Sequence, residues 1–441
     1  MDYRRTRIVL VAFGTSGDVF PFIAIGSALR ARGHEVVLVT NDYFATTAQN
    51  AGLDVAPVGS DASYRRALAE GDLWSSRRGL DVVMNSLLPD PLAVYDTIVD
   101  ELLPTRTVIA SHPFAFASRL VQQVRNTPCV TLVLSTCLLR SNCRVPVMVE
   151  DLELSKMAPP LKRLMWWFAD RLLIDPAVKP RLRRALDHLG LAPVTRPFDG
   201  WMFSPSSTIG LFPKWFAPPQ PDWPAQLRLT GFPDFCGTSP LPDVVKRFID
   251  AGSPPIVATT GSAAVDTDDF ATSVAGACRH TGHRALFLGA SSNTMPNRSD
   301  EQSRFLAVDF APLDEVLPHS SILIHHGGIG TTAAALRAAI PQIVRPIAHD
   351  HFDHAERIRR NGVGKRLLPR QFSTSTLRRT LDEILGDPAI QRRCEDRATQ
   401  IHQNDAVAAT CQLIEQPLPR SRFDSVAPRA TSPSQETDLN R

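Results

Sequence analysis

The sequence has no long apolar run, and this excludes the simplest membrane architectures. No stretch approaches the roughly 18 to 20 consecutive apolar residues that a membrane-spanning helix needs. The apolar run after Arg7 is short and leads into a glycine turn, so it predicts a buried strand and not a secretory signal peptide. We therefore expect a globular protein.

Charge of one sign and paired cysteines are also scarce. The formal net charge is only +3 in 441 residues, which does not indicate a nucleic-acid partner. The seven cysteines are odd in number and form no Cys-x-x-Cys pair. This usage favours a reduced, cytoplasmic compartment over a disulfide-stabilised secreted fold.

The chain does have enough length for two domains of ordinary size. At 441 residues it exceeds the size at which one hydrophobic core stays efficient. Prolines cluster at 213–224 and 233–255, as is typical of connections. We predict an N-terminal domain over 1–225, a linker over 226–253, a C-terminal domain over 254–400, a terminal helix over 401–416 and a disordered tail over 417–441, where apolar residues are almost absent.

Both halves alternate short β-branched segments with helical patterns. The strand predicted at Arg7–Phe13 is followed by a glycine turn and a helical stretch through Leu29, and the next strand covers His34–Thr40. The second half predicts strands at Pro255–Thr260, Ala285–Gly289, Phe305–Val308, Ile322–Ile324 and Gln342–Arg345. This order indicates an α/β protein with doubly wound parallel sheets, in which ligands bind at the carboxyl ends of strands.

A glycine-rich turn, His325-His326-Gly327-Gly328-Ile329-Gly330-Thr331, joins a predicted strand to a run of helix-forming residues. Glycines let the backbone approach a ligand, and the helix amino terminus offers N–H groups and partial positive charge to a diphosphate. His326 adds a hydrogen-bond donor and Thr331 a hydroxyl. The alternative is that the glycines only close a tight turn, as many α/β proteins require.

Two neighbouring segments favour the ligand-binding interpretation. Asp350 follows the next predicted strand, where its carboxylate can accept hydrogen bonds from sugar hydroxyls. Upstream, Phe310 precedes the rigid turn at Pro312, and a nucleobase can stack on its ring. The pattern predicts a site for a nucleotide sugar.

With these segments in order, the sequence resembles the inverting glycosyltransferases of the two-domain GT-B fold that act on small molecules and lipids. The resemblance rests on residues 14–21, the turn at His326, and Asp350 with its neighbours, and it extends to about residue 412. Within the family, the chain looks most like the rhamnosyltransferase that makes rhamnolipids, through residues 17–22, 211–219, 222–224 and 230–233. It is more distantly similar to sterol glucosyltransferases. The resemblance implies two facing Rossmann-like domains with a cleft between them.

The resemblance also implies roles for individual residues. Asp18 is the expected general base, and its alternative role is to cap a helix that begins near Phe20. His112, at a strand end, either orients Asp18 or only packs. The nucleotide sugar is expected to contact Thr15, Ser16, Gly17, Ser262, Phe310, Pro312, His326, Gly328, Gly330, Thr331, Asp350 and His351. No metal or other cofactor is implied, and the sugar stays open because His351 stands where the family usually has Gln.

Two other enzyme classes fit parts of the pattern. His349-Asp350-His351-Phe352-Asp353-His354 has the H-x-H-x-D-H spacing of zinc hydrolases, but such a site needs later ligands, and His402 is the only histidine that follows. A nucleotide-sugar epimerase shares the fold and the diphosphate turn but has no acceptor. An acceptor pocket therefore distinguishes a transferase from an epimerase.

An apolar helical pattern in the first half bears on that acceptor. Its members repeat at helical spacing, with Trp166, Trp167 and basic residues among them: Leu161, Leu164, Met165, Phe168 and Leu172. The simplest interpretation is an ordinary core face. The alternatives are a lipid-acceptor site and a peripheral membrane contact.

We predict transfer of a sugar, with anomeric inversion, from a donor such as dTDP-rhamnose or UDP-glucose. The expected acceptor is a hydroxyl of a hydrophobic molecule such as a hydroxy fatty acid lipid. A sterol or polyketide-type glucosyltransferase is the alternative. The expected location is the cytoplasm, with or without contact to the inner face of the cell membrane.

Overall fold

The computed structural model describes residues 6–75, 78–103, 107–148, 154–234, 240–261, 267–289 and 303–416. The tail predicted at 417–441 and the candidate residue Ser262 lie outside these ranges. Two parallel β-sheets organise the described residues, one in each half of the chain. In this part of the chain no helix is both long and apolar enough to cross a membrane.

The first sheet contains seven strands in the order β3-β2-β1-β4-β5-β6-β7, and each neighbouring pair is parallel. Its strands are β1 (Arg7–Val11), β2 (Glu35–Thr40), β3 (Asp54–Pro57), β4 (Thr107–Ser111), β5 (Cys129–Val133), β6 (Ser207–Gly210) and β7 (Leu227–Leu229). The central strand is buried on both faces, because Val9 and Val11 pack into one apolar cluster while Ile8 and Leu10 pack into another. This arrangement explains why β1 reads as an unbroken apolar run.

The second sheet contains six parallel strands in the order β10-β9-β8-β11-β12-β13. They are β8 (Ile256–Thr259), β9 (Ala285–Leu288), β10 (Phe305–Val308), β11 (Ile322–His325), β12 (Gln342–Val344) and β13 (Gly364–Arg366). Strands β8, β9, β11 and β12 are buried along their whole length. The fold class expected from the sequence, two doubly wound parallel sheets of an α/β protein, is confirmed.

Helices connect the parallel strands. In the first half they are α1 (Ser16–Ala31), α2 (Ala45–Asn50), α3 (Asp61–Leu68), α4 (Gly79–Val82), α5 (Pro91–Asp100), α6 (Phe116–Arg125), α7 (Pro159–Ala169) and α8 (Asp175–His188). In the second half they are α9 (Asp243–Asp250), α10 (Thr267–Thr281), α11 (Leu313–Val316), α12 (Ile329–Arg337), α13 (His351–Asn361), α14 (Thr374–Leu385), α15 (Pro388–His402) and α16 (Ala406–Glu415). Parallel pairing requires such crossovers, since a tight hairpin cannot join parallel strands.

Each sheet has one point at which the chain reverses the direction in which it adds strands. In the first sheet this point lies between β1 and β4, and in the second it lies between β8 and β11. The loops after the two strands separate there and leave a crevice at the carboxyl ends, where ligands of open α/β sheets bind. These two points locate the candidate site.

The boundaries of the two halves differ in detail from the predicted ones. Strand β7 joins the first sheet, so that sheet continues past residue 225 into the predicted linker. Helix α9 also lies in that linker, and its Val245 and Phe248 pack into the core of the second half. The terminal helix α16 returns to the first half, where the thiol of Cys411 lies 3.8 Å from the carbonyl oxygen of Ile25.

Candidate functional site

In the turn after β1, the carboxylate of Asp18 accepts hydrogen bonds from Thr15 of the same turn. Asp18 is the third residue of α1, and its Oδ2 accepts hydrogen bonds from the backbone N–H of Thr15 (2.7 Å) and from Thr15 Oγ1 (3.0 Å). Gly14 adopts φ +133°, and a Cβ there would lie 2.4 Å from Asp18 Oδ2. The helix begins at Ser16 and not near Phe20 as expected, but Asp18 does satisfy its amino terminus.

The second oxygen of Asp18 faces His112, which follows β4. Asp18 Oδ1 lies 3.7 Å from His112 Nε2, and about a third of the Asp18 side chain (34%) is exposed. The backbone N–H of Phe114 donates to His112 Nδ1 at 3.2 Å, so a neutral ring carries its proton on Nε2, towards Asp18. Burial, helped by the Asp350 carboxylate, raises the pKa of Asp18 to about 6 despite the opposing hydrogen bonds from Thr15. Burial lowers the pKa of His112 to about 3, so the pair is a neutral imidazole beside a carboxyl group that titrates near neutrality.

The turn after β11 is built differently, because no side chain caps the helix that follows it. Helix α12 begins at Ile329, with Gly328 at the capping position and no side-chain hydrogen bond there. Gly327 has φ +104°, and a Cβ on it would lie 3.1 Å from the carbonyl oxygen of His351. The first turn of α12 therefore presents backbone N–H groups and positive dipole charge with no carboxylate of its own.

The His326 ring is held between two glycines at this turn. A Cβ on Gly261, which has φ +85°, would lie 2.5 Å from His326 Cε1, and a Cβ on Gly328 would lie 2.6 Å from His326 Nε2. Burial lowers the pKa of His326 to about 4, so the ring is neutral at physiological pH. Within the described part of the chain, the buried Nδ1 of His326 has no hydrogen-bond partner. An unsatisfied buried nitrogen at an uncapped helix end indicates a place for a ligand.

Asp350 lies in the loop after β12, the next strand of the second sheet, and occupies the N-cap position of α13. Its Oδ2 lies 3.6 Å from His354 Nε2. Loops after strands of the two sheets touch, since His349 Nε2 lies 2.8 Å from the carbonyl oxygen of Leu73 and His354 Nε2 lies 3.1 Å from Ser135 Oγ. Asp350 accordingly affects the pKa values of both Asp18 and His112. The structure therefore brings Asp18, His112, His326 and Asp350 to one region between the domains.

A buried polar network joins the domains beside this region. His354 Nε2 lies 3.1 Å from Ser135 Oγ of the first half, and His354 Nδ1 lies 2.8 Å from the carbonyl oxygen of Gly327. Next to it, Asp353 accepts from Thr136 Oγ1 at 2.6 Å. The sequence analysis did not assign Ser135 or Thr136 to the site. The signal available for them was their position just after the apolar run that forms β5.

Arg357 favours the ionised form of Asp353, the carboxylate of this network. Burial alone would raise the pKa of Asp353, but the Arg357 guanidinium, at 2.7 Å, and the Thr136 hydroxyl hold it below its usual value. Asp353 also accepts the backbone N–H of Val147 at 3.1 Å, and Arg357 donates to the carbonyl oxygen of Phe216 at 3.2 Å. A charged pair from α13 thus ties the second half to three segments of the first half.

The remaining candidate residues occupy different places around the site. Phe310 follows β10 and exposes 63% of its surface, while Pro312 caps α11. His351 is buried, with its ring 4.8 Å from that of His326 and 5.8 Å from that of Trp74 in the first half. Burial holds the pKa of His351 well below its usual value. Its ring therefore supports His326 as a neutral neighbour, a contact that the sequence did not predict.

The small residues of the two turns lie at the amino-terminal ends of α1 and α12. Thr15, Ser16 and Gly17 form the amino-terminal end of α1, and the Thr15 hydroxyl is engaged with Asp18. Gly330 and Thr331 lie in the first turn of α12, where Gly330 is exposed. Their contact with a nucleotide sugar stays a prediction.

The histidine cluster that resembles a zinc motif is used for other contacts. His349, with φ +53°, places its Nε2 2.8 Å from the carbonyl oxygen of Leu73, and His354 bridges Ser135 and Gly327. Among the residues that the structure describes, no three His, Cys, Asp or Glu side chains are grouped so that they could hold a metal ion. These histidines contribute to the domain interface.

The apolar pattern around α7 is not the core face that the sequence favoured. Leu161, Leu164, Trp167, Phe168 and Leu172 expose between 47% and 66% of their surfaces. Lys162, by contrast, is buried, and its Nζ donates to the carbonyl oxygen of Asn142 at 2.9 Å. The helix thus turns its apolar side outward, and the expectation of an ordinary core face is wrong.

Two protein families match separate parts of the chain. Residues 8–87 match the glycosyltransferase family 28 N-terminal domain, and residues 294–414 match the C-terminal domain of the erythromycin biosynthesis protein CIII-like family. The first match contains the Asp18 turn, and the second contains the His326 turn and Asp350. Both halves of the candidate site therefore lie in segments shared with known families.

Two curated relatives align with nearly the whole chain. The O-mycaminosyltylonolide 6-deoxyallosyltransferase of Streptomyces fradiae is 27% identical over 430 residues, which cover 93% of this chain and 97% of that protein. A sterol 3-beta-glucosyltransferase of Arabidopsis thaliana is 25% identical over 442 residues, which cover 94% of this chain and 66% of that protein. The chain thus spans all but the ends of the first relative and about two thirds of the second.

Solved structures show the same architecture. The glycosyltransferase of kitacinnamycin superposes with a TM-score of 0.70 at 17% identity, covering 94% of this chain and 100% of that one. The spinosyn rhamnosyltransferase complexed with thymidine diphosphate superposes with a TM-score of 0.65 at 19% identity, covering 93% and 100%. The fold is GT-B, with two Rossmann-like domains. With the family and sequence matches, the chain is identified as a glycosyltransferase that has the GT-B fold. A special similarity to rhamnolipid-forming enzymes stays a prediction, since the relatives above are a macrolide and a sterol glycosyltransferase.

Proposed function

We propose that the protein transfers a 6-deoxyhexose from a thymidine diphosphate donor to a hydroxyl of a hydrophobic acceptor, with inversion at the anomeric carbon. One observation carries this proposal. Asp18 is a titratable carboxylate at the start of α1, and Ile329 at the uncapped start of α12 packs against the apolar cluster to which α1 contributes. Beside that helix end, His326 has an unsatisfied nitrogen among the described residues. Base and anion site thus lie on opposite sides of one region, as inverting transfer requires.

The second domain is the proposed donor side. The amino terminus of α12 and the His326 ring receive the diphosphate, whose negative charge the helix dipole favours. Because His326 is neutral, it acts through a hydrogen bond and not through a positive charge. The exposed Phe310 ring stacks on the base, and Asp350 accepts hydrogen bonds from sugar hydroxyls.

The first domain is the proposed acceptor side. Thr15 fixes one oxygen of Asp18 and thereby aims the other towards His112 and the space between the domains. With a pKa of about 6, Asp18 is mostly ionised at pH 7 and still basic enough to take a proton. The neutral His112 carries its proton on Nε2, 3.7 Å from Asp18 Oδ1, and offers it to the acceptor oxygen.

The proposed reaction is a single displacement. The acceptor oxygen attacks the anomeric carbon as its proton passes to Asp18, and a new C–O bond forms. The bond between that carbon and the phosphate oxygen breaks on the opposite face, and the nucleoside diphosphate leaves with its electron pair at the α12 terminus. Attack and departure on opposite faces invert the anomeric configuration.

The choice of sugar and acceptor follows the relatives' own names. One relative is named as a 6-deoxyallosyltransferase of O-mycaminosyltylonolide, and one structural neighbour is a rhamnosyltransferase solved with thymidine diphosphate. Both support a thymidine diphosphate deoxysugar, with rhamnose as the first candidate and UDP-glucose as the second. The acceptor classes to compare are polyketides, sterols and hydroxy fatty acid lipids. We propose that the reaction takes place in the cytoplasm.

The test is a donor and acceptor panel with the purified full chain. We expect nucleoside diphosphate release to need both a dTDP-deoxyhexose and a hydroxylated hydrophobic acceptor, and NMR of the product to show the inverted anomer. Conversion of the nucleotide sugar into an isomer without any acceptor would indicate an epimerase instead. A product with retained configuration would contradict the direct displacement by way of Asp18.

A further inference from the structure

The structure leaves one apolar surface outside the site unexplained. Among the described residues, twelve large hydrophobic side chains are exposed, and six of them lie between Leu161 and Leu173. We call this surface the α7 face. It consists of Leu161, Leu164, Trp167, Phe168, Leu172 and Leu173. Such a concentration on one helix is unusual, since exposed apolar residues are normally scattered singly.

The residues of the α7 face are ordered in rows. Leu164, Phe168 and Leu172 follow at intervals of four, so they stand one above the other along α7 and into the π-helical turn Asp170–Ile174. The neighbouring row is Arg163, Trp167 and Arg171, at the same interval. An apolar row therefore runs beside a row in which a tryptophan lies between two exposed arginines.

Polar contacts on the opposite side hold the helix in this orientation. Arg140 pairs with Asp170 through two hydrogen bonds, and its guanidinium lies 5.0 Å from the Trp166 ring. The buried Lys162 donates to the backbone at Asn142. The outward apolar side is thus a fixed feature of the folded chain.

Charge identifies the surface that complements the α7 face. Residues 159–188 contain seven lysines and arginines and three aspartates, a net charge of +4, while the entire chain carries +3. The segment that contains the α7 face is therefore basic. Leucine, tryptophan and phenylalanine on one side, with arginines beside them, are the composition of helices that lie in the interface of anionic lipid bilayers.

We propose that the α7 face docks the protein on an anionic membrane surface, with Leu164, Trp167, Phe168 and Leu172 inserted at the headgroup level. Arg163 and Arg171 contact lipid phosphates on either side of Trp167. This docking is independent of sugar transfer and rests on the α7 face alone. It places the first domain, which carries Asp18, against the bilayer, where hydrophobic molecules concentrate.

The test is sedimentation of the full chain with sucrose-loaded vesicles. We expect binding to vesicles of equal parts phosphatidylcholine and phosphatidylglycerol, and little binding to phosphatidylcholine alone. Leu164→Gln combined with Phe168→Gln should weaken binding by about tenfold or more, since the inserted apolar area falls. Arg163→Gln combined with Arg171→Gln should weaken binding by about 25-fold, which is about fivefold per arginine, and only on the anionic vesicles.

Matched controls separate this effect from misfolding and from catalysis. Leu385→Gln changes another exposed leucine, in the second domain, and should leave vesicle binding unchanged. Asp18→Asn should also bind vesicles like the unaltered protein, whatever its transferase activity. Circular dichroism checks that each variant is folded.

Three outcomes would overturn the proposal. The first is failure of the unaltered protein to bind the anionic vesicles. The second is equal binding by the Leu164→Gln and Phe168→Gln double variant. The third is a dimer, seen in sedimentation velocity and abolished by the same double variant, because a second copy of the chain would then occupy the α7 face.

Discussion

Two strand-to-helix turns, one in each domain, have the same backbone plan but differ in how the start of the following helix is capped. Both follow a strand next to the point where its sheet changes direction, and both use a glycine with positive φ, Gly14 in the first and Gly327 in the second. In the first turn, Asp18 caps its own helix. In the second, Gly328 offers no side chain to α12.

The difference assigns the two turns to different chemical partners. A helix end that is already satisfied by a carboxylate repels a second anion, so the first turn is suited to a neutral acceptor hydroxyl. An uncapped helix end beside an unsatisfied buried nitrogen is suited to a diphosphate. For these two glycine-rich turns, which look alike in sequence, we therefore propose different roles, one as the site of the base and one as the anion site.

The largest predicted effect comes from the first turn. Asp18→Asn keeps the cap, because the amide oxygen can still accept from Thr15, but it removes the proton acceptor. We expect the transfer rate to fall by about a thousandfold, while calorimetry shows unchanged affinity for thymidine diphosphate. Full activity in this variant would falsify the assignment of the base.

The pH dependence of transfer separates the two turns further. The pKa of Asp18 is raised to about 6, and the carboxylate is the active form, so activity is present above that pH and lost below it. We expect kcat/KM to fall about tenfold per pH unit below 6. The pKa values of His112 and His326, about 3 and about 4, keep both rings neutral through this range. An acid limb near pH 4, the ordinary range of an exposed Asp, would contradict the effect of burial.

In the second turn, His326→Ala should affect binding and not the proton transfer. Loss of a hydrogen bond to a charged diphosphate is expected to weaken thymidine diphosphate binding by about tenfold to a hundredfold. His319→Ala, which changes an exposed histidine of the same domain, is the control. Equal calorimetric affinities for the two variants would remove His326 from the donor site.

A pair of glycine substitutions compares the turns directly. Gly14→Ala places a Cβ against Asp18 and should lower kcat, while Gly261→Ala displaces the His326 ring and should raise the donor KM, each by about tenfold. Gly52→Ala and Gly282→Ala are matched controls, since both have positive φ and nothing within 4 Å of the added atom. The controls should lose only about 1 to 2 kcal/mol of stability from backbone strain. If Gly261→Ala lowered kcat and left the donor KM unchanged, the second turn would act in catalysis and not in donor binding, which contradicts the proposed separation of roles.

The smallest predicted effect concerns the stacking of the donor's nucleobase on Phe310. Phe310 is exposed, so Phe310→Ala should not alter the melting temperature, but loss of stacking should weaken donor binding by about fivefold. Phe168→Ala removes another exposed ring, from the other domain, and serves as the control. If both variants bind thymidine diphosphate alike, the base does not stack on Phe310.

The central strands could be predicted from sequence, and several peripheral elements could not. Strands β1, β8 and β11 are short β-branched runs that both faces of a sheet bury, and their predicted positions agree with the structure to within two residues. Strands β3, β7 and β13 lie at sheet edges, where burial is partial and the apolar signal is weak. They formed part of no prediction for that reason.

The α7 face shows what hydrophobic periodicity in a sequence cannot predict. Helical spacing of Leu161, Leu164 and Phe168 predicts a shared face correctly, but spacing does not say whether that face points inward. Here the buried Lys162 and the pairing of Arg140 with Asp170 decide the orientation. These contacts join segments about 20 to 30 residues apart, which a local pattern does not report.

The sequence by itself determined the α/β class, the two glycine turns and the candidate residues Asp18, His326 and Asp350, because turns and buried strands depend on local chemistry. Tertiary structure alone decided that Asp18 and Asp350 influence one another, since they lie on different sheets and are 332 positions apart. It also decided the raised pKa of Asp18 and the neutral state of His326, because burial is a property of the assembled domains.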